Sequence, residues 1–152
     1  MRTLNPNPPN NPQTTTTNTT ADVRDVVAVY KNPPYPVFYD VVSHSLALVP
    51  MLASPLYYES KFSSTVYSSM ITGVPMIADD KFLDAYTMID RSAVYYRAEG
   101  QEEVDVMFAV SAQDARETWR ARQAVSDLRD KLNKRASGLL RQWLDEKGAA
   151  KR

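Results

Sequence analysis

The 152-residue chain has no cysteine and a single histidine, His44. Disulfide frameworks, thiolate metal sites and a cysteine nucleophile are excluded together, and one imidazole does not make a histidine-rich metal site. Neither charge is in excess, because 18 Lys and Arg balance 18 Asp and Glu. A neutral chain has no global basic field to draw it onto nucleic acid or an anionic membrane, so no nucleic-acid partner is expected. No run of about 18 apolar residues occurs. The N-terminus lacks the basic start and apolar core of a secretory signal. Membrane insertion is therefore not expected, and the cytoplasm is the default location. The triplet Asn18-Thr19-Thr20 matches a glycosylation sequon, but such triplets are common by chance and need a secretory route. No motif asks for a metal or another cofactor.

What is present bounds the architecture. Apolar residues make up 43% of the chain, including nine tyrosines and four phenylalanines, enough for a packed core. The length suits one domain of about 100 to 150 residues. Residues 1–20 (MRTLNPNPPNNPQTTTTNTT) are Asn, Pro and Thr with almost nothing to bury, and the expectation is a disordered tail. Residues 22–30 hold Val23, Val26, Val27, Val29 and Tyr30, which fits a short strand or the end of a helix. Pro33, Pro34 and Pro36 follow as a loop.

Residues 37–43 suggest a short helix, and 45–52 (SLALVPML) read as a buried strand. Loop character follows over 54–60. Residues 63–71 place Val66, Tyr67, Met70 and Ile71 on one helical face ended by Gly73. Residues 74–78 (VPMIA) then read as a strand, Asp79 and Asp80 as caps of a helix to about Ile89, and 93–97 (AVYYR) as a further strand. A helix over 102–110 is expected to turn Val104, Met107 and Phe108 inward. Alternating strands and helices are the signature of a parallel sheet with crossover helices. The fold class expected is α/β, an incomplete Rossmann-like parallel sheet of three to four strands with a long C-terminal amphipathic helix.

That last helix is expected to start with a capping box at 111–114 and to run to about Glu146. Val125, Leu128, Leu132, Ala136, Leu139 and Trp143 recur along it at steps of three and four. Asp127/Lys131 and Asp130/Lys134 stand as i,i+4 pairs on its wet side. The expected division is thus a tail over 1–20, an α/β domain over 21–110, the helix over 111–147 and a disordered end over 148–152.

The residues that invite chemistry lie between two candidate parallel strands, over 60–75 (SKFSSTVYSSMITGVP). Helix amides at the carboxyl edge of a sheet, with the hydroxyls of Ser63, Ser64 and Thr65 and the charge of Lys61, suit a phosphate or diphosphate. Serines at a helix start are also ordinary caps. His44 is a candidate general base or a structural histidine. Asp79 and Asp80 could bind a ribose or a cation or serve as caps, and Tyr57-Tyr58 and Tyr95-Tyr96 could line a sugar or base pocket or sit half-buried at element edges.

Residues 48–80 (LVPMLASPLYYESKFSSTVYSSMITGVPMIADD) resemble the nucleotide-sugar-binding C-terminal half of glycosyltransferases of the GT-B fold. Thr72-Gly73-Val74-Pro75 stands where that family turns from helix into strand, and Phe62 matches an aromatic near the helix start. The likeness covers roughly residues 40–110. It implies a nucleotide-sugar donor as ligand, with Lys61, Ser63 and Ser64 at the diphosphate and Asp79 near the ribose or sugar. Retaining members carry two glutamates flanking this helix; Ser60 and Ser68 stand at those places here, and Glu59 is the neighbouring carboxylate. A glycosyltransferase-like domain that is inactive alone, for want of an acceptor domain, is the functional expectation. The alternative is a non-catalytic interaction protein that associates, with a partner or with itself, through Val125, Leu128, Leu132, Leu139 and Trp143.

Overall fold

The computed structural model describes residues 28–149. The chain divides into two units, Met1–Pro33 and Pro34–Arg152. In the first, residues 28–33 are described and carry no helix or strand. The expected tail over 1–20 and most of the element expected over 22–30 lie outside the described residues, as do residues 150–152.

The second unit is mixed α/β and mostly helical. Its order is α1 (Tyr35–Ser43), α2 (Leu56–Glu59), α3 (Ser64–Thr72), β1 (Met76–Ala78), α4 (Asp80–Ala85), a 3-10 turn (Arg91–Ala93), β2 (Val94–Tyr96), α5 (Glu103–Ser111) and α6 (Ala115–Ala149). Proline in the first turn of α1 costs no hydrogen bond, because the first amides of a helix have no intrahelical partner. Ser63 caps α3 by accepting the Thr65 amide at 3.3 Å. Gly73 ends that helix at φ 70°, a left-handed turn that favours glycine. A Cβ there would stand 3.3 Å from Ser126 Oγ.

From this turn Pro75 leads into β1, which pairs in parallel with β2, Met76 opposite Val94 and Ala78 opposite Tyr96. A parallel pair requires a crossover, supplied by α4 and the 3-10 turn. Alternation along β1 divides the core in two. Met76 and Ala78 face Val66, Phe82, Tyr86, Ile89, Val125 and Leu128, whereas Ile77, with Tyr95 of β2, faces Val106 and Val110 of α5. The sheet is thus covered by α3, α4 and α6 on one side, and by α5 with Ala47 and the Ala121 turn of α6 on the other. No helix among the described residues is long and apolar enough to cross a membrane.

Several expectations change. Among the described residues the sheet has two strands, not three or four. The segment 45–52 contributes one parallel bridge, Leu48 to Met76, with the Leu48 amide donating to Pro75 O at 3.0 Å and the Ile77 amide to Leu48 O at 2.8 Å. Pro50 removes a donor just beyond it, and Leu46, Val49 and Met51 are exposed, so no further pairing follows. The loop over 54–60 contains α2. The helix after Asp79 stops at Ala85 rather than Ile89.

In α5, Val106 and Val110 point inward and Val104, Met107 and Phe108 are exposed. A capping box between Glu102 and Asp105 sets the start of this helix, and Val106 and Val110 pack on Ile77 and Tyr95. The corresponding box of α6 is Asp114 with Glu117, each side chain accepting the other's amide at 2.8 and 3.1 Å, so α6 begins at Ala115 and not at 111. The expected i,i+4 pairs do not form: Lys131 reaches Asp90 at 3.1 Å, Asp127 accepts from Gln123, and Asp130 pairs with Arg129. Val125 and Leu128 are buried as expected, but Leu139 and Trp143 are exposed.

Candidate functional site

β1 and β2 end side by side, so the residues that follow them, Asp79 and Arg97, meet at the carboxyl edge of the sheet. The Arg97 amide continues the ladder by donating to Ala78 O at 2.8 Å. Asp79 leaves β1 as the cap of α4, its Oδ1 accepting the Phe82 amide at 2.9 Å. Its Oδ2 accepts from the Arg97 guanidinium. Arg97 is further held by Glu103 Oε1 at 3.4 Å and by Gln101 O at 3.3 Å. Burial pushes the Asp79 carboxyl up, but the Phe82 amide and the Arg97 guanidinium together outweigh it and hold the group below its ordinary range. The same hydrogen bond raises Arg97.

Around this pair lies an open cleft of about 360 Å³, lined by Asp79, Asp80, Lys81, Tyr96, Arg97 and the loop 98–100. The size is at the lower end for small-molecule sites. Tyr96 donates to Asp80 Oδ2 at 2.7 Å, and the Arg91 guanidinium stacks 3.4 Å from the centre of its ring. Lys81 Nζ sits 4.3 Å from the ring centre of Tyr58. Burial, and after it the Asp79 carboxylate, raises the Tyr58 hydroxyl. The cleft carries three carboxylates, Asp79, Asp80 and Glu99, against Lys81 and an Arg97 already shared between Asp79 and Glu103. Such a lining offers many acceptors to hydroxyl groups and little free positive charge to a phosphate.

A second cleft of about 230 Å³ lies between α2 and the end of α4, lined by Tyr57, Tyr58, Glu59, Ser60, Lys61, Phe62, Tyr86 and neighbours. Lys61 and Glu59 are exposed here. Tyr86 fixes its floor, because its hydroxyl accepts the Ser63 amide at 3.1 Å and donates to Tyr57 O at 2.9 Å. Tyr58 belongs to this cleft and also lies beside Asp79 in a smaller hollow against β1.

The structure therefore sorts the residues singled out in the sequence. Glu59 and Lys61 flank the second cleft, and Asp79 stands in the first. Ser64 is exposed at the start of α3, whereas Ser63 is 3% exposed with its hydroxyl engaged as a cap. His44 is exposed, its Nδ1 2.7 Å from the carbonyl of Asp40 in its own helix. Among the described residues no group of three His, Asp or Glu side chains is placed to hold a metal. Arg97, Lys81 and Glu99 were not anticipated. The signal for Arg97 was the parallel register, which puts the residue after each strand at one edge.

Arg97→Ala is expected to lower stability by about 1 kcal/mol at neutral pH, since it removes charge-assisted hydrogen bonds from a partly exposed carboxylate. A carboxyl whose native pKa is depressed adds stability that is complete above its unfolded pKa, about 3.9, and is lost as pH falls through the lower native value. Urea melts of both proteins should thus differ most above pH 5 and converge in acid. A gap that persisted or grew at low pH would contradict the ion pair.

Comparison with protein-family models, with curated proteins and with solved structures gives no match.

Proposed function

We propose that residues 40–110 form a nucleotide-sugar-binding domain of the glycosyltransferase type, with a Rossmann-like arrangement of which β1 and β2 are the central part. The observation that supports this most is the cleft at the carboxyl ends of two parallel strands, flanked by Asp79, Lys81, Tyr96 and Arg97. Open parallel α/β sheets bind their ligands outside that edge. The Leu48 bridge adds a third parallel segment on the other side of β1. The Gly73 turn into Pro75 and β1 is the local geometry that the family resemblance calls for.

In this assignment the acceptor-rich first cleft takes hydroxyls of the ribose or sugar, with Asp79 as the oriented acceptor. Lys61 and Ser64, both exposed at the start of α3, are assigned to the diphosphate. Ser63 acts through its cap, which fixes that helix start, and not as a direct ligand. Ser60 and the buried Ser68 stand where retaining enzymes carry glutamates, and Glu59, next to Ser60, lines the second cleft and not the one assigned to the sugar. Among the described residues no second lobe faces the cleft. Transfer would require an acceptor-binding domain from elsewhere, and the activity proposed for this unit is donor binding.

Thermal-shift titration with UDP-, GDP- and ADP-sugars tests this. A ligand at a hundred times its Kd stabilises the folded state by about 2.7 kcal/mol, a rise of roughly 10 °C for a domain of this size. Asp79→Asn keeps a capping side chain but removes the charge, and together with Lys61→Glu or Ser64→Glu it should abolish the rise. Ser64 is preferred to Ser63 for this change because a glutamate at Ser63 would be buried. No rise with any donor, in a chain that melts cooperatively, would refute donor binding.

A further inference from the structure

α6 outruns the core that it helps to build. Val125 and Leu128 are buried and Leu132 is half-buried, but every residue over 133–147 is exposed. At 1.5 Å per residue this bare stretch extends roughly 20 Å. The apolar face does not stop where the core stops. Ala136, Leu139, Leu140, Trp143 and Leu144 continue the line of Val125, Leu128 and Leu132, with Leu139 58%, Leu140 62%, Trp143 54% and Leu144 59% exposed. Four large apolar side chains on one face of a projecting helix are more than solvation requires.

Charge and size indicate what covers the face. Arg135 and Glu146 are separated by three turns, so they lie on the same flank of the apolar stripe. Two helices paired antiparallel about a two-fold axis bring each flank against the same flank of the other copy. A crossing near Leu140 sets Arg135 of each copy beside Glu146 of its partner, twice over. It also sets the Trp143 ring over the small Ala136. A parallel pair would turn Arg135 towards the opposite flank, with Asn133 and Ser137, and leave it without a carboxylate partner. Beside the root of α6 lies a mainly apolar groove of about 430 Å³, lined by Phe62, Val66, Met70, Ile71 and Leu132 with Arg129 and Asn133 among its polar residues. The groove extends the same apolar surface.

We propose that the distal half of α6 is a dimerisation arm, and that its occupant is a second copy of this chain, antiparallel, crossing near Leu140. The arm is independent of donor binding: its residues line neither polar cleft.

Analytical ultracentrifugation of the full chain from about 1 to 100 μM tests it. The expected result is a reversible monomer–dimer equilibrium ending at twice the 17.1 kDa chain mass. Leu139→Asp and Trp143→Ala should each yield monomers across this range. Their urea midpoints, measured at a concentration where the wild type is also monomeric, should be unchanged because both positions lie outside the core. Arg135→Glu or Glu146→Arg alone should raise the dissociation constant on the order of tenfold, since each removes two symmetry-related pairs and adds repulsion. The double variant should recover most of that loss. A wild-type chain that stays monomeric at 100 μM, or forms only polydisperse aggregate, overturns the proposal. So does a dimer indifferent to Leu139→Asp and Trp143→Ala. A dimer that those two variants dissolve but the charge swap does not restore overturns the antiparallel arrangement.

Discussion

Met76→Ala is expected to cost about 2–5 kcal/mol, the range for truncating a fully enclosed side chain. Met76 has no exposure at all and stands at the centre of the larger core cluster, opposite Val94 in the ladder and bridged to Leu48 on its other side. Removing its thioether leaves a void bounded by the strand pair, α3 and α6, none of which can close without shifting the others. Urea denaturation should show a lower midpoint with an unchanged slope. Met51→Ala is the control, since Met51 is 88% exposed and should fall within about 0.5 kcal/mol of wild type. A loss below about 1 kcal/mol at Met76 would mean that β1 is not the centre of the core.

Tyr86→Phe is expected to cost about 1–3 kcal/mol, although it removes a single oxygen. The Tyr86 hydroxyl is the acceptor for the Ser63 amide and a donor to Tyr57 O, and the residue is 3% exposed. Phenylalanine would keep the ring's contacts with Phe82 and Phe62 and strand the buried Ser63 amide, while the part-buried Tyr57 carbonyl would lose its donor. Hydrogen exchange at Ser63 should accelerate with the loss of stability. Tyr67→Phe, at a residue 61% exposed, should be neutral. An equal effect at both positions would show that Tyr86 is not the link between α4 and the start of α3. The same substitution should weaken any ligand that depends on that helix start, because Tyr86 fixes the backbone on which Lys61 and Ser64 stand.

Elements with a local cause could be read from the sequence. α3 has a serine cap, an apolar face and a terminal glycine; the start of α4 has an aspartate that the structure shows accepting the Phe82 amide; α6 has a long apolar repeat. Each depends on residues a turn apart, and each is found near its expected place. The misreadings concern contacts that no local pattern encodes. The apolar run over 45–52 looks like a buried strand, but its pairing depends on what lies beside it, and it makes one bridge. The inward face of α5 could not be phased from hydrophobicity, because Val104, Met107 and Phe108 are as apolar as Val106 and Val110; the packing of Val106 and Val110 on Ile77 and Tyr95 sets it. Lys131 finds Asp90, distant in sequence, before its helical neighbour Asp127.

The candidate site divides along the same line. Asp79 was visible as a polar residue at a strand end, and Lys61 and Ser64 as neighbours of a helix start. Arg97 becomes legible only once β1 and β2 are known to run parallel in register, which makes residues 79 and 97 neighbours. Ser63 illustrates the opposite case: its sequence position fits ligand and cap equally, and its burial decides for the cap. The surplus apolar face of α6 was evident as a periodicity over its whole length. Which part of it the core would use was a question of helix length against core size, answered at Leu132.

The most direct test of the donor-binding proposal is the map of backbone amide shifts in ¹H–¹⁵N spectra as a nucleotide-sugar is added. The largest changes are expected at residues 78–81 and 96–100, at the carboxyl edge of β1 and β2, with a second group at residues 61–65. Spectra in which these amides stay fixed at saturating donor, or in which changes are confined to α6, would contradict it.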